Sequence, residues 1–290
     1  MASDTLVYLN GRFLPRAQAC VPVMDRGFLF GDSVYEVIPV YGGYLFRLEH
    51  HLARLDNSLA GIRMANPLSH DAWRAMLREL VGQRPGADQS VYLQVTRGPA
   101  DKRDHAIPDV TEPTVFAMAV PLAPIDAAVA EHGIAAITLE DNRWLRCDIK
   151  ATTLLANVLA RQEAKEREAV EAILLRDGLA LEGAASNLFV ASGGRLATPP
   201  KSRHLLPGIT RDLVIELAQA NAISCVEEDV TVASLRGADE VWLTSSTREV
   251  MPVTRLDGRP LGDGRPGPLW RRMNDLYQAY KARLRRHPDE

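Results

Sequence analysis

The chain has 290 residues, of which 46% are hydrophobic and 24% are charged, and its formal net charge is -3. These values are ordinary for a globular protein. The charge gives no electrostatic reason to expect binding to nucleic acid or to an anionic membrane. No segment approaches the roughly 18 apolar residues that a membrane-spanning helix needs.

The cysteines and the N-terminus bear on the cellular compartment. Cys20, Cys147 and Cys225 are odd in number, lie far apart and form no CxxC pair, which argues against a disulfide framework and against a zinc site. The first residues lack the basic segment followed by an apolar segment that an export signal would have. We therefore expect a cytoplasmic protein without a metal site.

The first 120 residues combine strand and helix patterns. An Asn-Gly pair at 10–11 between apolar runs predicts a β-hairpin. Further strands are predicted on both sides of the Gly-Gly pair at 42–43 and in the segments SVYLQVTRG and TVFAMAV. Helices are predicted over about 48–62 and 70–82, the second with Ser69 as its N-cap.

The pattern changes after the proline-containing segment PLAPIDAAVAE, which is the best linker candidate. Beyond it, strands alternate with helices. One predicted helix, TTLLANVLARQEAKEREA, begins near residue 152 and carries an apolar face that we expect to be buried, formed by Leu154, Leu155, Val158 and Leu159. Three short strands follow up to residue 198, then the helix GITRDLVIELAQANA, the strand-turn-strand EVWLTSSTREVMPV and a closing helix over 268–283.

These patterns predict an α+β or mixed α/β protein with two domains. The boundaries that we expect are a smaller N-terminal α/β domain at 1–120, a linker at 121–131 and a larger C-terminal domain at 132–290.

Lys150 occupies an unusual place in this organisation. The chain contains only five lysines, and Lys150 alone stands between a strand-like segment and an apolar helical run. A lysine at such a boundary can extend its ammonium group to solvent. Alternatively, a desolvated amine can form a Schiff base with a carbonyl cofactor or substrate. The residue by itself does not separate these interpretations.

Two segments could bind an anion. The sequence from Gly208 to Asp212 opens a helix, so its free backbone N–H groups could bind an anion with help from the helix dipole, or it could be a simple helix cap. The turn Thr244-Ser245-Ser246-Thr247 could offer hydroxyl groups to the same anion, or be an ordinary polar turn.

Two further features have charged side chains. Glu182 lies in the apolar, small-residue stretch LALEGAASN, and if it is buried it needs a partner such as a protonated ring nitrogen. The loop Lys102-Arg103-Asp104-His105 could be merely solvated, or its arginine could bind a carboxylate with its two-pronged guanidinium. A reactive lysine, an anion cradle and a buried acid together suggest pyridoxal phosphate.

The chain resembles the fold-type IV pyridoxal-phosphate aminotransferases, and within them it is most similar to the bacterial D-amino-acid aminotransferases. The resemblance runs from about Tyr8 to the C-terminal helix. It is carried by DRGFLFGDSVYEV, HLARL, YLQVTRG with KRDH, DNRWLRCDIKATTLLANVLARQEA, LEGAASN, LLPGITRD and TSSTREVMPV, in this order. It implies a two-domain fold with pyridoxal 5'-phosphate in the cleft between the domains.

The resemblance also implies roles for individual residues. Lys150 would be the catalytic lysine, bonded to the cofactor as a Schiff base, and Glu182 would bind the pyridine nitrogen. The other cofactor contacts that it implies are Arg54, Ile209, Thr210 and Thr247 at the phosphate, Ser246 in the same turn, Ser186 as an indirect support and Leu206 against the ring. The substrate α-carboxylate would be bound by Tyr35, Arg103 and His105, with Arg103 and His105 supplied by the other subunit of a homodimer.

The implied reaction is a ping-pong transamination between a D-amino acid (D-alanine, D-glutamate or D-aspartate) and a 2-oxo acid (2-oxoglutarate or pyruvate). Three alternatives share the fold: branched-chain L-amino-acid aminotransferase, aminodeoxychorismate lyase and (R)-amine transaminase. The Arg103/His105 pair favours the D-amino-acid activity. The sequence departs from the family pattern at Ser33, where glycine is common, and at Ala184-Ala185, which replace more hydroxyl-rich residues.

Overall fold

The computed structural model describes residues 5–286 and divides the chain into two compact units. The first comprises Met1–Ala123, Ile149–Thr153 and Leu284–Glu290, as far as these ranges are described, and the second comprises Pro124–Asp148 and Leu154–Arg283. The short segment around Lys150 therefore belongs to the first unit, although the chain on both sides of it belongs to the second. No helix within residues 5–286 has the length and apolar character to cross a membrane.

The first unit is an antiparallel sheet with three helices. Its strands are β1 Leu6–Leu9, β2 Arg12–Pro15, β3 Ser33–Tyr41, β4 Tyr44–Leu45, β5 Gln89–Thr96 and β6 Thr114–Pro121, and its helices are α1 Arg26–Phe30, α2 Leu48–Gly61 and α3 His70–Gly82. The sheet order is β2-β1-β6-β5-β3-β4. The hairpin predicted at 10–11 joins β1 to β2, with Asn10 and Gly11 both at positive φ.

Helices α2 and α3 confirm the two predicted helices almost to the residue. The Ser69 side chain accepts a hydrogen bond from the backbone N–H of Ala72 at 3.2 Å, which caps α3 as expected. The apolar faces of both helices are buried in one core with residues of the sheet. That core includes Leu52, Leu55, Leu59, Trp73, Leu77, Leu80, Val34, Ile38, Val91 and Leu93.

The second unit is built on a larger mixed sheet. Its helices are α4 Ala127–His132, α5 Leu155–Glu166, α6 Ile209–Ala220, α7 Val232–Arg236 and α8 Pro268–Arg286, and its strands are β7 Ile134–Glu140, β8 Glu171–Arg176, β9 Leu179–Gly183, β10 Ser186–Ser192, β11 Arg195–Thr198, β12 Cys225–Glu227, β13 Val230–Thr231, β14 Glu240–Ser245, β15 Glu249–Leu256 and β16 Arg259–Pro260. The order is β12-β11-β10-β14-β15-β7-β8-β9-β13, with β16 paired to β15. A further pairing of β9 with β10 closes six of these strands into a circuit.

The sequence patterns were imprecise at two places in this unit. The segment predicted as a linker contains α4, whose first turn is capped by the side chain of Asp126. The residues up to 198 form four strands rather than three, because the chain turns at Ala184 and Ala185 between β9 and β10. The mixed α/β class itself is confirmed.

The expectation of a buried apolar face on the helix after Lys150 is wrong for the single chain. Helix α5 begins at Leu155, and Leu155, Val158 and Leu159 are 72%, 58% and 57% exposed. Their i, i+3, i+4 spacing places them on one side of the helix. An amphipathic pattern predicts that a face is covered, but it does not say by what.

A buried ionic cluster fixes α2 against β3. The Glu36 carboxylate, on β3, accepts from Nε and Nη2 of Arg54 at 2.8 and 2.7 Å and is 2.7 Å from Nδ1 of His51. Burial alone would raise the pKa of Glu36, but the Arg54 guanidinium and the His51 hydrogen bond outweigh it and lower the pKa to about 2. The cluster is therefore held by an ionised carboxylate at all ordinary pH values.

This cluster predicts a specific acid dependence of stability. Because the folded-state pKa of Glu36 lies below its ordinary value of 4.5, its contribution is present above pH 4.5 and is lost as the pH falls towards 2. The shift corresponds to roughly 3 kcal/mol. In Glu36→Gln this loss is absent, so the difference in unfolding free energy between wild type and variant should shrink between pH 4.5 and 2 in urea titrations.

Glu49→Gln is the matched control, because Glu49 lies on the same helix and pairs with Arg74 at the surface. An exposed pair contributes less than about 1 kcal/mol, so this variant should follow the wild-type acid profile closely. A constant wild-type-to-Glu36→Gln difference across the whole pH window would contradict the ionic role of Glu36.

Candidate active site

The backbone of Lys150 is fixed on both sides by residues of the first unit. The Tyr35 N–H donates to the Lys150 carbonyl at 3.0 Å, and the Lys150 N–H donates to the Ser58 hydroxyl at 3.2 Å. One step along the chain, Ala151 forms a β-bridge with Val34. The segment around Lys150 thus forms a short β-pairing with the start of β3.

The Lys150 amine lies over an aromatic face. Its Nζ atom is 4.2 Å from the centroid of the Tyr35 ring, and Tyr35 in turn stacks on Tyr92 with a centroid distance of 5.8 Å. The residue is half-buried. Lys150 is therefore positioned by Tyr35 and Ser58.

Ser33, which departs from the family pattern, takes part in holding this segment. It is fully buried, and its hydroxyl makes a very short hydrogen bond with that of Thr152, two residues after Lys150. The Thr152 N–H also donates to the Ser33 carbonyl at 3.1 Å. The serine adds a side-chain bond where glycine would have none.

Arg54 and His51 lie on the face of α2 that also carries Ser58. Burial lowers the pKa of His51 although it is hydrogen-bonded to Glu36, so the neutral ring donates from Nδ1 and leaves a lone pair on Nε2. That Nε2 atom is buried and has no hydrogen-bond partner among the described residues. A buried polar atom without a partner is unusual and points to a missing group.

The predicted substrate-binding loop presents two side chains to solvent. Arg103 and His105 are both exposed in the segment between β5 and β6. Their ring contacts are with Phe30 of α1: the Arg103 guanidinium carbon is 5.0 Å from the Phe30 centroid, and the His105 and Phe30 centroids are 5.2 Å apart. The two side chains are thus grouped on one aromatic residue.

In the second unit, Glu182 is a buried carboxyl with protein partners. Its Oε1 accepts from Nη1 of Arg143 at 2.7 Å, and its Oε2 accepts from the Asn187 amide at 3.2 Å and the Leu206 N–H at 3.1 Å. Burial raises its pKa to about 7, against the lowering effect of Arg143. A carboxylate offers about four lone-pair sites, so one remains for a further N–H donor.

Arg143 is shared between two carboxyls. Its Nε and Nη2 donate to Asp141 at 2.9 and 3.1 Å, and Arg176 is also 3.0 Å from the same carboxylate. Because Arg143 also binds Asp141, it stabilises the ionised form of Glu182 less than a guanidinium bound to Glu182 alone would.

Asn187 links Glu182 to the start of α6. Its amide nitrogen also donates to the Leu206 carbonyl at 2.8 Å. A β-carbon at Gly208, the N-cap of α6, would collide with the Asn187 side-chain oxygen, so only glycine permits this approach. The predicted anion-binding residues Ile209 and Thr210 then form the buried first turn of α6, whose N–H groups have no partner within the helix.

The Ser/Thr turn lies where β14 ends. Ser246 and Thr247 occupy the turn between β14 and β15, and α6 contacts β14. Within the described chain the buried hydroxyl of Thr244 has no hydrogen-bond partner. Like the orphaned ring nitrogen of His51, this hydroxyl indicates a polar group that the protein itself does not supply.

Ser186 lies beside a second buried carboxyl, that of Glu171. Its hydroxyl is 3.4 Å from Oε2 of the buried Glu171, whose pKa is raised by burial. Arg161 and Arg248 each lie 3.4 Å from the same carboxyl. Ser186 pairs with Gly183 across the turn from Glu182, so it adjoins the Glu182 network without bonding to it.

Each unit carries donors that fit a part of pyridoxal phosphate. In the first unit, the half-buried Lys150 amine on an aromatic ring suits a carbonyl group, and the buried Arg54 suits a phosphate. In the second unit, the unused lone pair on the buried Glu182 suits a ring N–H, and the open N–H groups of α6 and the Thr244 hydroxyl suit a phosphate. Residues 5–286 contain no group of three or more His, Cys, Asp or Glu side chains suited to a metal ion.

Several residues of the site were not identified from the sequence. Glu36 could have been found by the signal that drew attention to Glu182, since it is an acid inside the apolar run SVYEVIPV. His51 lies one turn before Arg54, but a lone histidine gave no reason to choose it. Arg143 and Asn187 lie among ordinary polar loop and strand residues, and nothing in their local pattern marks them.

The chain is similar to known proteins over most of its length. The family model "Amino-transferase class IV" matches residues 33–256. A D-alanine aminotransferase from Bacillus licheniformis is 43% identical over 272 residues, which cover 94% of this chain and 95% of that protein.

Solved structures show the same architecture. A branched-chain amino acid aminotransferase from Escherichia coli superposes with a TM-score of 0.88 at 29% identity, covering 94% of this chain and 93% of the other. A hypothetical aminotransferase from Mycobacterium tuberculosis in a PLP-bound form gives a TM-score of 0.83 at 25% identity, covering 94% and 98%. Since the family model spans most of the sequence and the relatives align over nearly all of it, this chain belongs to the class IV aminotransferases.

Proposed function

We propose that this enzyme transfers the amino group of a D-amino acid to a 2-oxo acid, with pyridoxal 5'-phosphate as cofactor and D-alanine, D-glutamate and D-aspartate as donors. The proposal rests first on Lys150, whose backbone is fixed on β3 and α2 and whose amine lies over the Tyr35 ring. In the second unit, the buried Glu182 keeps one acceptor site open. The 43% identity to a D-alanine aminotransferase supports the choice of donor.

In the proposed enzyme, Lys150 would bind the cofactor carbonyl and Arg54 its phosphate. Ile209 and Thr210 would bind the phosphate with backbone N–H groups, assisted by the Thr247 hydroxyl and the Ser246 turn. Glu182 would accept the ring N–H, while Ser186 and Leu206 would support the ring through the Glu182 surroundings.

Pyridoxal phosphate, when bound, supplies a carbonyl that condenses with amines and a ring that stabilises negative charge at the substrate Cα. The protein supplies the proton transfer. Lys150 takes the Cα proton on Nζ and later returns a proton, and the Tyr35 ring face stabilises the resulting ammonium. Glu182 becomes more firmly ionised when a cationic N–H occupies its open site, because an opposite charge lowers the pKa of a carboxyl.

Tyr35, Arg103 and His105 are the groups that we assign to the substrate α-carboxylate. An arginine binds a carboxylate through two parallel hydrogen bonds, and a neighbouring imidazole or phenol adds a third donor. Arg103 and His105 are exposed and grouped on Phe30, so both side chains are accessible to an anion.

Branched-chain L-amino-acid transamination is the second candidate. It is favoured by the structural likeness to the Escherichia coli branched-chain enzyme. The Escherichia coli enzyme is 29% identical to this chain, whereas the D-alanine enzyme is 43% identical over the same share of the chain. The donor preference distinguishes the two.

A donor panel tests the proposal. Paired D- and L-alanine, D- and L-leucine, and an (R)-amine without a carboxylate should be assayed with 2-oxoglutarate. The wild type should use D-alanine and leave L-leucine unreacted. Arg103→Ala should lower kcat/KM for D-alanine by roughly 10- to 100-fold, since a charged hydrogen bond is lost, and leave any (R)-amine turnover unchanged.

Lys102→Ala is the matched control, because Lys102 lies in the same loop and pairs with Asp104, and 81% of its side chain is exposed. It should retain the wild-type kinetics. Strong turnover of L-leucine with none of D-alanine would overturn the proposal, and unchanged D-alanine turnover in Arg103→Ala would remove Arg103 from the carboxylate site.

We also propose that the enzyme is a homodimer in which Arg103 and His105 serve the neighbouring subunit. Exposed apolar side chains support association: Leu155, Val158 and Leu159 line one side of α5, and Trp144 and Leu145 are exposed in the same unit. Single exposed apolar residues are common, but a helix face of three marks an interaction surface.

Mixing of inactive subunits tests this shared site. Lys150→Ala and Arg103→Ala homodimers should each be nearly inactive with D-alanine. When the two chains are co-expressed, a mixed dimer contains one site with both Lys150 and Arg103, so about a quarter of wild-type activity should return at random pairing. Persistent inactivity of mixed dimers, isolated by two affinity tags, would show that each subunit uses its own Arg103.

A cytoplasmic location completes the proposal. Cys20, Cys147 and Cys225 are all free thiols, as proteins of a reducing compartment usually have.

A further inference from the structure

The loop that carries Arg103 and His105 is fastened at its base. It leaves β5 at Thr96 and enters β6 at Thr114, and both threonine hydroxyls donate to Oδ2 of Asp25, at 2.9 and 2.6 Å. Asp25 is completely buried and also caps α1. The next residue in the chain, Arg26, is equally distinctive because it is a buried arginine at the first position of that helix.

The Arg26 side chain binds the middle of the same loop. Nη1 donates to the carbonyls of Asp104 and Ala106 at 2.6 and 3.2 Å, and Nη2 donates to the carbonyl of His105 at 3.2 Å. Three consecutive carbonyls are thus held by one planar guanidinium, whose N–H directions are fixed. The Arg26 guanidinium carbon also lies 5.0 Å from the centroid of Phe30, the ring that contacts Arg103 and His105.

Arg26 is itself immobilised by Asp32, a partly buried acid. Its Nε donates to Oδ2 of Asp32 at 2.8 Å, and Arg97 binds the same carboxylate through Nε at 2.7 Å and Nη2 at 3.0 Å. The side chains of Arg26 and Arg97 are only 5% and 4% exposed. The remaining bonds of Arg97 go to the carbonyls of Ile62 and Arg63 at the end of α2, and not to the loop.

The backbone of the loop and its side chains differ in how they are held. The loop backbone at 104–106 is fixed, whereas the side chains of Arg103 and His105 are exposed. A loop without such fastening would lose conformational entropy each time it ordered around a substrate. A loop that is already ordered binds with less of this cost.

We propose that Arg26 is a positioning residue for substrate recognition: by holding the carbonyls of residues 104–106 it sets Arg103 and His105 in place for the substrate α-carboxylate. The identity of the ligand in this inference rests on the proposed function. The contacts by which Arg26 holds the loop do not depend on it. Arg26 need not touch the substrate, and its effect is on substrate affinity rather than on proton transfer at Lys150.

The test compares Arg26→Gln and Arg26→Lys with Arg97→Gln. All three remove or weaken a bond to Asp32, but only the Arg26 variants release the loop. In the holoenzyme, hydrogen exchange of the amides at 103–107 should accelerate in Arg26→Gln and remain at the wild-type rate in Arg97→Gln. Arg26→Lys keeps the positive charge but lacks the planar guanidinium, so its exchange rate should lie between those of the other two variants.

Kinetics provide the second readout. The KM for D-alanine should rise by about tenfold or more in Arg26→Gln, with kcat at saturation within about threefold of the wild type. Arg97→Gln should change neither by more than about threefold. Equal KM increases in the Arg26 and Arg97 variants, or an unchanged KM in Arg26→Gln with accelerated exchange, would overturn the role in recognition.

Failure of the proposed function is distinguishable from failure of this inference. If the wild type turns over no D-amino acid, the proposed function fails, and the exchange experiment still decides whether Arg26 fixes the loop. Exchange at 103–107 that is identical in wild type and Arg26→Gln would refute the fastening, whatever the substrate.

Discussion

The buried contact between the Glu36 carboxylate and the Arg54 guanidinium sets the geometry of the first unit around Lys150. It joins β3 to α2 with two parallel hydrogen bonds, and His51 adds a third. Because these bonds fix the rotation of α2, Ser58, one turn beyond Arg54 on the same face, is set to accept from the Lys150 N–H. Tyr35, the neighbour of Glu36, binds the Lys150 carbonyl. One strand-helix contact thus positions both Lys150 and Arg54, the arginine that we propose for the phosphate.

The two buried glutamates Glu36 and Glu182 differ because of how their arginines are shared. Glu36 accepts hydrogen bonds from two nitrogens of Arg54 and from a histidine N–H, and its pKa falls to about 2. Glu182 accepts from one nitrogen of Arg143, which also binds Asp141, and its pKa rises to about 7. A carboxylate that stays ionised, like Glu36, suits a structural contact. A carboxyl whose pKa is about 7, like Glu182, suits a group whose charge changes when an N–H donor binds it.

Residue patterns predicted the parts of the molecule that local chemistry determines. Helices α2 and α3, with the Ser69 cap, follow from apolar spacing and capping rules. Lys150 and Glu182 stood out because a charged residue in an apolar segment needs an explanation. The spacing of Gly208 and Thr210 marked the open start of α6.

The remaining parts depend on contacts between residues far apart in the chain, which no local pattern records. Arg143 is 39 positions from Glu182, and Arg26 is 78 positions from Asp104. The apolar face of α5 shows the limit in another way. Its pattern predicted a buried face, but the single chain leaves that face exposed, and the proposed partner subunit would explain why.

The most direct test of the account is the identity of the lysine that binds the cofactor. Borohydride treatment of the holoenzyme makes a lysine–carbonyl link permanent, and proteolysis with mass analysis then locates it. The account predicts the cofactor on the peptide that contains Lys150, with Lys102, Lys165, Lys201 and Lys281 unmodified. Attachment to any of those four, or no attachment in a cofactor-saturated enzyme that is active with D-alanine, would contradict it.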